Sequence, residues 1–261
     1  TQSALNQQLL KLEKELGTPL FHRSRTNWRL TEAGEIYIEG AKAALQIKNT
    51  TYNRIYDVVS ARKGHLTIGL TPGRGLRMFT AIYPELHRSF PNLDVRPIEM
   101  RVRAQQDAIA KGEIDVGLMT LARRDQTSDT YYPLKQEELV LIIPAGHPLA
   151  EKAAPSGEPL ATLDLTELRY EPFVLMDKTS TLRSSCDLLF EKAGFAPNIL
   201  FETNNTSGIA AMVQSTLCCG IIPRYYTLGL TEGVACFSLP ERPSWEIVIS
   251  CQKNAYLNSG A

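Results

Sequence analysis

Three groups of residues in this chain have types and spacing that could do chemistry. The first is a polar row at the front: Gln2, Ser3, Asn6 and Gln7, with Lys11 further on. Amide and hydroxyl side chains presented by a helix can hydrogen-bond base edges in a DNA major groove. A solvated polar face is the plain alternative for the row taken alone. The second group is Arg23, Arg25 and Arg29, clustered at the polar turn Ser24-Arg25-Thr26-Asn27. Guanidinium groups there suit phosphate oxygens. The third is scattered and rich in hydroxyls: Thr71-Pro72-Gly73-Arg74, Thr120, Lys178-Thr179-Ser180-Thr181 and Asn204-Asn205-Thr206-Ser207. Each comes at the end of an apolar run, and several precede a helical stretch. Singly, each reads as a cap or turn. Gathered at one cleft, hydroxyls and free helix-start N–H groups would hold a small organic anion such as a carboxylate.

Other chemistry is thin. There is no GxSxG, HExxH, P-loop or Gly-rich dinucleotide motif, and His22, His65, His87 and His147 have no evident nucleophile partner. We therefore expect no enzyme, cofactor or metal. The five cysteines are an odd set without zinc spacing, and Cys218 and Cys219 sit in an apolar run. They read as reduced, buried small hydrophobes. No apolar run is long enough to span a membrane, and no export signal opens the chain. The expectation is a cytoplasmic protein with no membrane partner, although the chain begins at Thr1 rather than Met. Net charge is zero, but residues 1–63 carry ten Lys/Arg against six Asp/Glu, a net of +4. The rest carries −4, so a basic front precedes an acidic body.

The elements that must position these groups follow from hydrophobic period. Residues 1–16 predict a helix, with Leu5, Leu9, Leu12 and Leu16 as one buried stripe, ended by Gly17 and Pro19. Leu20 to Arg23 and Trp28 to Leu30 predict two short strands, so a helix is followed by a basic hairpin, the layout of a winged helix-turn-helix. From residue 31 to 63 there is no Pro. Ile38, Ala41, Leu45, Tyr52, Ile55 and Val59 form an a/d-like seam with Lys48 as its polar member. Such a narrow stripe predicts a helix that meets a second copy; the alternative is packing on its own domain. After Gly64, strands and helices alternate, which predicts a parallel α/β sheet. Strands are expected over Leu66–Leu70, Leu93–Met100, Ile114–Met119 and Leu139–Ile143. A second α/β set runs from Phe173 to Ile222, and two late strands close the chain. This divides the chain into 1–30, 31–63, a first lobe from 64–136, a second from 137–242, and a return to the first over 243–261. Ligands of two-lobed α/β proteins sit between the lobes, beyond strand C-terminal ends.

The run from Thr1 to Arg23, with its Leu-Glu…Leu-Gly…Leu-Phe…Arg skeleton, and Leu30-Thr31-Glu32-Ala33-Gly34 resemble the LysR-type transcriptional regulators. Further matching residues are Gly64-His65-Leu66-Thr67-Ile68-Gly69, Gly112 to Gly117, Pro144 to Leu149, Ala193-Gly194-Phe195 and Gly220-Ile221-Ile222-Pro223. The resemblance spans nearly the whole chain. It implies an α/β effector domain with two periplasmic-binding-protein-like lobes, preceded by a partial winged helix-turn-helix and a long linker helix. It implies that Thr1 caps the recognition helix, that Gln2, Asn6 and Gln7 face the bases, and that the linker dimerises with its twin. Helices expected before Thr1, and one after Ala261, lie beyond this sequence. Asn6 and Gln7 stand where members commonly carry Ser and Arg, which implies a different base preference. Ser215 to Cys218 replaces a usual Ala-Gly-x-Gly.

The expected partners are thus double-stranded DNA, a small-molecule effector, and further copies of the chain as a dimer or dimer of dimers, with RNA polymerase as a further candidate. The rivals are a transport solute-binding protein, which would leave the front end without purpose, and a thiol redox sensor of the same family. The peroxide-sensing branch places its cysteine where this chain has Thr181, with Cys186 about one turn later.

Overall fold

A computed structural model describes residues 2–23, 28–59, 63–155, 157–215, 217–230, 232–253 and 255–257. Helix α1 spans Gln2–Leu16, and strands β1 (Phe21–Arg23) and β2 (Trp28–Leu30) pair antiparallel. Helix α2, Glu32–Val58, follows directly. Thr31 makes the joint. Its N–H donates to the Leu20 carbonyl at 3.0 Å, its hydroxyl donates to the Pro19 carbonyl, and it accepts from Gly34 N–H as a helix cap. Gly34 is required by contact: a Cβ there would lie 2.1 Å from the Leu20 carbonyl oxygen. Glu13 is buried, accepts from Leu20 N–H at 2.8 Å and pairs with Arg23, so α1 is riveted to the hairpin by a charge-assisted pair.

The leucine stripe of α1 corrects the expectation. Leu9 and Leu12 are half-buried, but Leu5 is 69% and Leu16 45% exposed. No described element packs over those two. The predicted seam is likewise mostly open in the single chain: Leu45, Tyr52, Ile55 and Val59 are exposed, while Ile38 and Ala41 are half-buried. The opposite face of α2 meets its own domain. Buried Asn53 donates to the His65 carbonyl and accepts from His65 N–H, at 3.1 and 3.2 Å, and Lys42 pairs with Glu113.

The body contains β3 (Lys63–Leu70), α3 (Arg74–Ser89), β4 (Asn92–Glu99), α4 (Val102–Ala110), β5 (Val116–Leu121) and β6 (Thr130–Pro144). It continues with β7 (Pro172–Met176), α5 (Thr181–Lys192), β8 (Asn198–Thr203), α6 (Thr206–Gln214), β9 (Gly220–Pro223), β10 (Val234–Ser238) and β11 (Ser244–Cys251). The main sheet has the order β10-β6-β11-β5-β3-β4, with β9 also on β6. In lobe I, β3 runs parallel to β4 and β5, while β11 returns antiparallel between β5 and β6. Alternation along β5 sends Val116 and Leu118 to the α3 side, and Met119 and Leu121 to the α4 side. The strand is buried on both faces, as parallel sheets are. In lobe II, the second part of β6 pairs with β9 and β10, and β7 pairs parallel with β8. Its two cores lie around Phe173, Phe190 and Phe237, and around Val140, Ile209 and Ile222.

Two strand readings are corrected. The strand expected at Leu139–Ile143 is only the buried second part of the 15-residue β6. Its first part is mostly exposed and carries Tyr131, Tyr132, Pro133 and Lys135, so it lacks an apolar run. Strand β5 ends at Leu121 rather than Met119, because β11 keeps pairing with it through Glu246↔Leu121. No helix among the described residues is long and apolar enough to cross a membrane.

Candidate functional site

Strands β6 and β11 meet at Ser244↔Glu138, where one lobe gives way to the other. Above this junction lies a cavity of about 380 Å³, a size suited to a small organic molecule. Its walls include Thr71, Pro72, Gly73, Arg74 and Thr120 from lobe I, and Thr179, Ser180, Thr181, Asn205 and Thr206 from lobe II. Segments more than a hundred residues apart in sequence therefore come together at one place. They do so because each ends a strand or starts a helix on the same edge of its sheet.

The starts of four helices reach this cavity, and they differ. Ser180 caps α5 by accepting from Leu182 N–H at 3.2 Å, and Asn205 caps α6 by accepting from Ser207 and Gly208 N–H at 2.9 and 3.3 Å. Helices α3 and α4 begin at Gly73 and Arg101 without a side-chain cap. Gly73 has φ 71°, a left-handed turn that brings the backbone tightly from β3 into α3. The starts without a side-chain cap are thus both in lobe I, and that of α3 is partly met by backbone, Arg74 and Leu76 N–H donating to the Pro72 and Thr71 carbonyls at 2.9 and 3.3 Å.

The hydroxyls are also unequal. Thr181 donates to the Thr120 carbonyl at 3.0 Å across the lobes, and Thr179 donates to Asp177 at 2.6 Å. Thr71 is 7% exposed, and its hydroxyl oxygen is buried without a partner. Thr120 lies inside β5 rather than beyond it, and Arg74, Thr181 and Thr206 are first residues of their helices rather than loop residues.

Arg74 is the deep cation. It donates to Glu137 at 3.1 Å and lies 3.5 Å over the Tyr225 ring, while its Nε is buried without a partner. Glu137, itself buried on β6, also accepts from Trp245 Nε1 on β11 at 3.0 Å. The two crossing strands and α3 are thereby tied together beneath the cavity. Sequence reading missed Arg101, Val102, Met176, Leu182, Tyr226 and Trp245, which also line it. Arg101 reaches from lobe I to Asp177 in lobe II at 2.5 Å and to Thr179. The Arg101 guanidinium holds the Asp177 carboxyl well below the usual carboxylate range. Burial pushes the Tyr226 phenol up.

At the front end, Asn6, Gln7 and Lys11 are exposed on α1, while the side chains of Gln2 and Ser3 lie outside the described set. Thr1 and Arg25 lie outside the described residues. Arg29 is exposed on β2. Arg23 is engaged within the domain: besides Glu13, it lies 5.4 Å over the Trp28 ring.

The thiols are sheltered. Burial pushes the Cys186 and Cys219 thiols each up to about 12, and raises those of Cys218, Cys236 and Cys251.

Comparison with known proteins matches two family models. Residues 1–35 match the bacterial regulatory helix-turn-helix protein, lysR family, and residues 60–261 match the LysR substrate binding domain. The uncharacterized HTH-type transcriptional regulator YwbI of Bacillus subtilis is 28% identical over 264 residues, covering 100% of this chain and 84% of that one. Full-length OxyR from Pseudomonas aeruginosa superposes with a TM-score of 0.68 at 23% identity, covering 97% of this chain and 80% of that one. The effector binding domain of QuiR in complex with shikimate gives 0.62 at 18% identity, covering 76% and 91%.

Proposed function

Because the chain belongs to the LysR family of bacterial transcription regulators, and is thus a DNA-binding regulator with an effector-binding domain, we propose that its operator binding is set by a small organic anion held in the interlobe cavity. The observation that carries this reading is the convergence of two uncapped helix starts, two arginines and the threonine hydroxyls on one cavity between the lobes. Helix N-termini and guanidinium groups favour negative charge. We assign the effector to Thr71, Pro72, Gly73, Arg74, Thr120, Thr179, Ser180, Thr181, Asn205 and Thr206, and add Arg101. A ligand touching both lobes prefers one lobe arrangement, and only such a difference can shift the geometry of the protein on DNA.

On the DNA side, Thr1, Gln2, Ser3, Asn6, Gln7 and Lys11 are assigned to the groove, and Arg23, Arg25 and Arg29 to the backbone. Arg23 acts mainly by holding the hairpin on α1. The protein is assigned to the cytoplasm, as a dimer or dimer of dimers through α2, on a roughly two-fold operator. The lobes are divided as lobe I 64–136 and 243–261, and lobe II 137–242. RNA polymerase is a further partner if the regulator activates. The thiol-sensor reading is disfavoured, since a reactive cysteine requires an accessible thiolate, and Cys186 is 1% exposed.

Two measurements test this. On matched and mismatched operators, Arg25→Ala should weaken binding about equally and flatten its salt dependence, whereas Gln2→Ala should relax base preference. Identical behaviour of the two variants would refute the assignment of wing and helix. For the cleft, small acids, beginning with shikimate as the ligand of QuiR, should be screened by calorimetry and by their effect on operator binding. Binding unaltered by both Thr181→Val and Arg101→Gln would place the effector elsewhere.

A further inference from the structure

Two arginines line the cavity, and each already has a carboxylate. Glu137 is buried, Arg74 has only 12% of its side chain exposed, and Glu137 also holds Trp245, so this pair belongs to the framework. Arg101 differs. Its side chain is 42% exposed, it precedes the uncapped start of α4 in lobe I, and its carboxylate lies across the cleft. Asp177 Oδ1 accepts from Arg101 Nη1 at 2.5 Å, from Thr179 N–H at 3.0 Å and from the Thr179 hydroxyl at 2.6 Å. Its other oxygen, Oδ2, is buried with no partner. A carboxylate can accept at both oxygens, so the arrangement satisfies Arg101 better than it satisfies Asp177.

We propose that Asp177 is an internal stand-in for the effector's anion: it holds Arg101 while the cleft is empty, and an incoming acid takes Arg101 from it. This rests on the reading of the cleft as the effector site. Binding then opens the Arg101–Asp177 clasp and gives the arginine to the ligand. The Thr181–Thr120 bond and the bond from Arg124 to Ser185 at 3.0 Å remain as contacts between the lobes. The lobes thus re-seat rather than separate. The ligand class narrows as well. One arginine can be released and the other cannot without stranding buried Glu137, so the site takes a singly charged acid group rather than two.

Asp177→Asn removes the charge but keeps a carbonyl acceptor for the Thr179 N–H and hydroxyl, so the turn should survive. Calorimetry on the whole chain, with sodium shikimate and sodium acetate as probes at constant ionic strength, reads the exchange. Asp177→Asn should bind at least one probe about two- to fivefold more tightly than the parent, the range expected from removing an exposed competing ion pair. Arg101→Gln should bind more weakly, and the double variant should match Arg101→Gln. If Asp177→Asn binds neither probe more tightly, including the case of no binding at all, the stand-in is overturned. Crystals of Asp177→Asn with the probe separate this from the cleft reading. A probe seated in the cavity without a gain in affinity overturns the exchange alone, and a probe bound elsewhere overturns the cleft.

Discussion

Replacing Thr71 by Val separates stability from function in a way that few substitutions at a binding site do. The hydroxyl is buried and has no hydrogen-bond partner, while the Thr71 N–H and carbonyl bond to Leu118 and Leu76 through the backbone, which Val keeps. Val nearly matches the shape and replaces the hydroxyl by a methyl. A buried polar group without a partner costs about 1–3 kcal/mol, so Thr71→Val should raise stability, by about 1 kcal/mol once imperfect fit is subtracted. For the two lobes unfolding together, a domain of about 200 residues, that is a rise in Tm of about 2–4 °C. Effector affinity should move oppositely, falling about fivefold when a ligand no longer finds the hydroxyl, equivalent to about 1 kcal/mol. Urea and thermal unfolding give the first quantity, and calorimetry with the acid that alters operator binding gives the second. A loss of stability of 1 kcal/mol or more would refute the reasoning, because it would mean the hydroxyl is satisfied after all. Unchanged affinity would remove Thr71 from the effector's contacts.

Three further outcomes are expected. The double change Tyr52→Asp, Ile55→Asp puts unpaired charges into the exposed seam of α2; sedimentation should show loss of the dimer with the lobes still folded, and an unchanged assembly would mean that the seam is not the contact. Gly34→Ala forces a Cβ to within 2.1 Å of the Leu20 carbonyl oxygen, so operator binding should fall and the front end should lose about 1–3 kcal/mol, with lobe unfolding unchanged by calorimetry. In the native protein at pH 8, Cys186 and Cys219 should resist thiol reagents and react only on unfolding, since each thiol is pushed up to about 12; rapid labelling of either at native pH would reopen the redox reading.

The two-lobed body was legible because several of its strands are apolar runs of the right length, and those of β3 and β7 lead within a few residues into hydroxyls, at Thr71 and at Thr179-Ser180-Thr181. That pattern located Thr71, Thr179 and Asn205 at a common edge before any coordinate was known. Arg101 escaped because nothing in Glu99-Met100-Arg101-Val102 marks a boundary: no Gly or Pro, and no capping side chain at the start of α4. Tyr226 and Trp245 reach the cavity from a turn after β9 and from the start of the last strand, placements set by long-range pairing. The leucine stripe of α1 shows a different limit. A periodic apolar face predicts that something covers it, and says nothing of what, so Leu5 and Leu16 stand open among the described residues.

The position of β11 bears on how the chain comes to be folded as it is made. It lies between β5 and β6 at the centre of the sheet, yet it is the last of the described strands in sequence, ending at Cys251. Every strand of lobe II has emerged by Ser238, so that lobe can assemble most of its core, Trp245 excepted, while lobe I still lacks its middle. Until residues 244–251 arrive, the fully buried strand β5 presents a bare apolar edge beside the first part of β6, the kind of surface on which incomplete chains pair with one another. Completing lobe I then requires contacts spanning well over a hundred residues, such as Ile247 with Thr120, which makes it the slow step of folding. A nascent chain stalled before Ser244 would therefore carry a second lobe lacking only Trp245 from its core and an unfinished first, and would be a client for chaperones rather than a regulator.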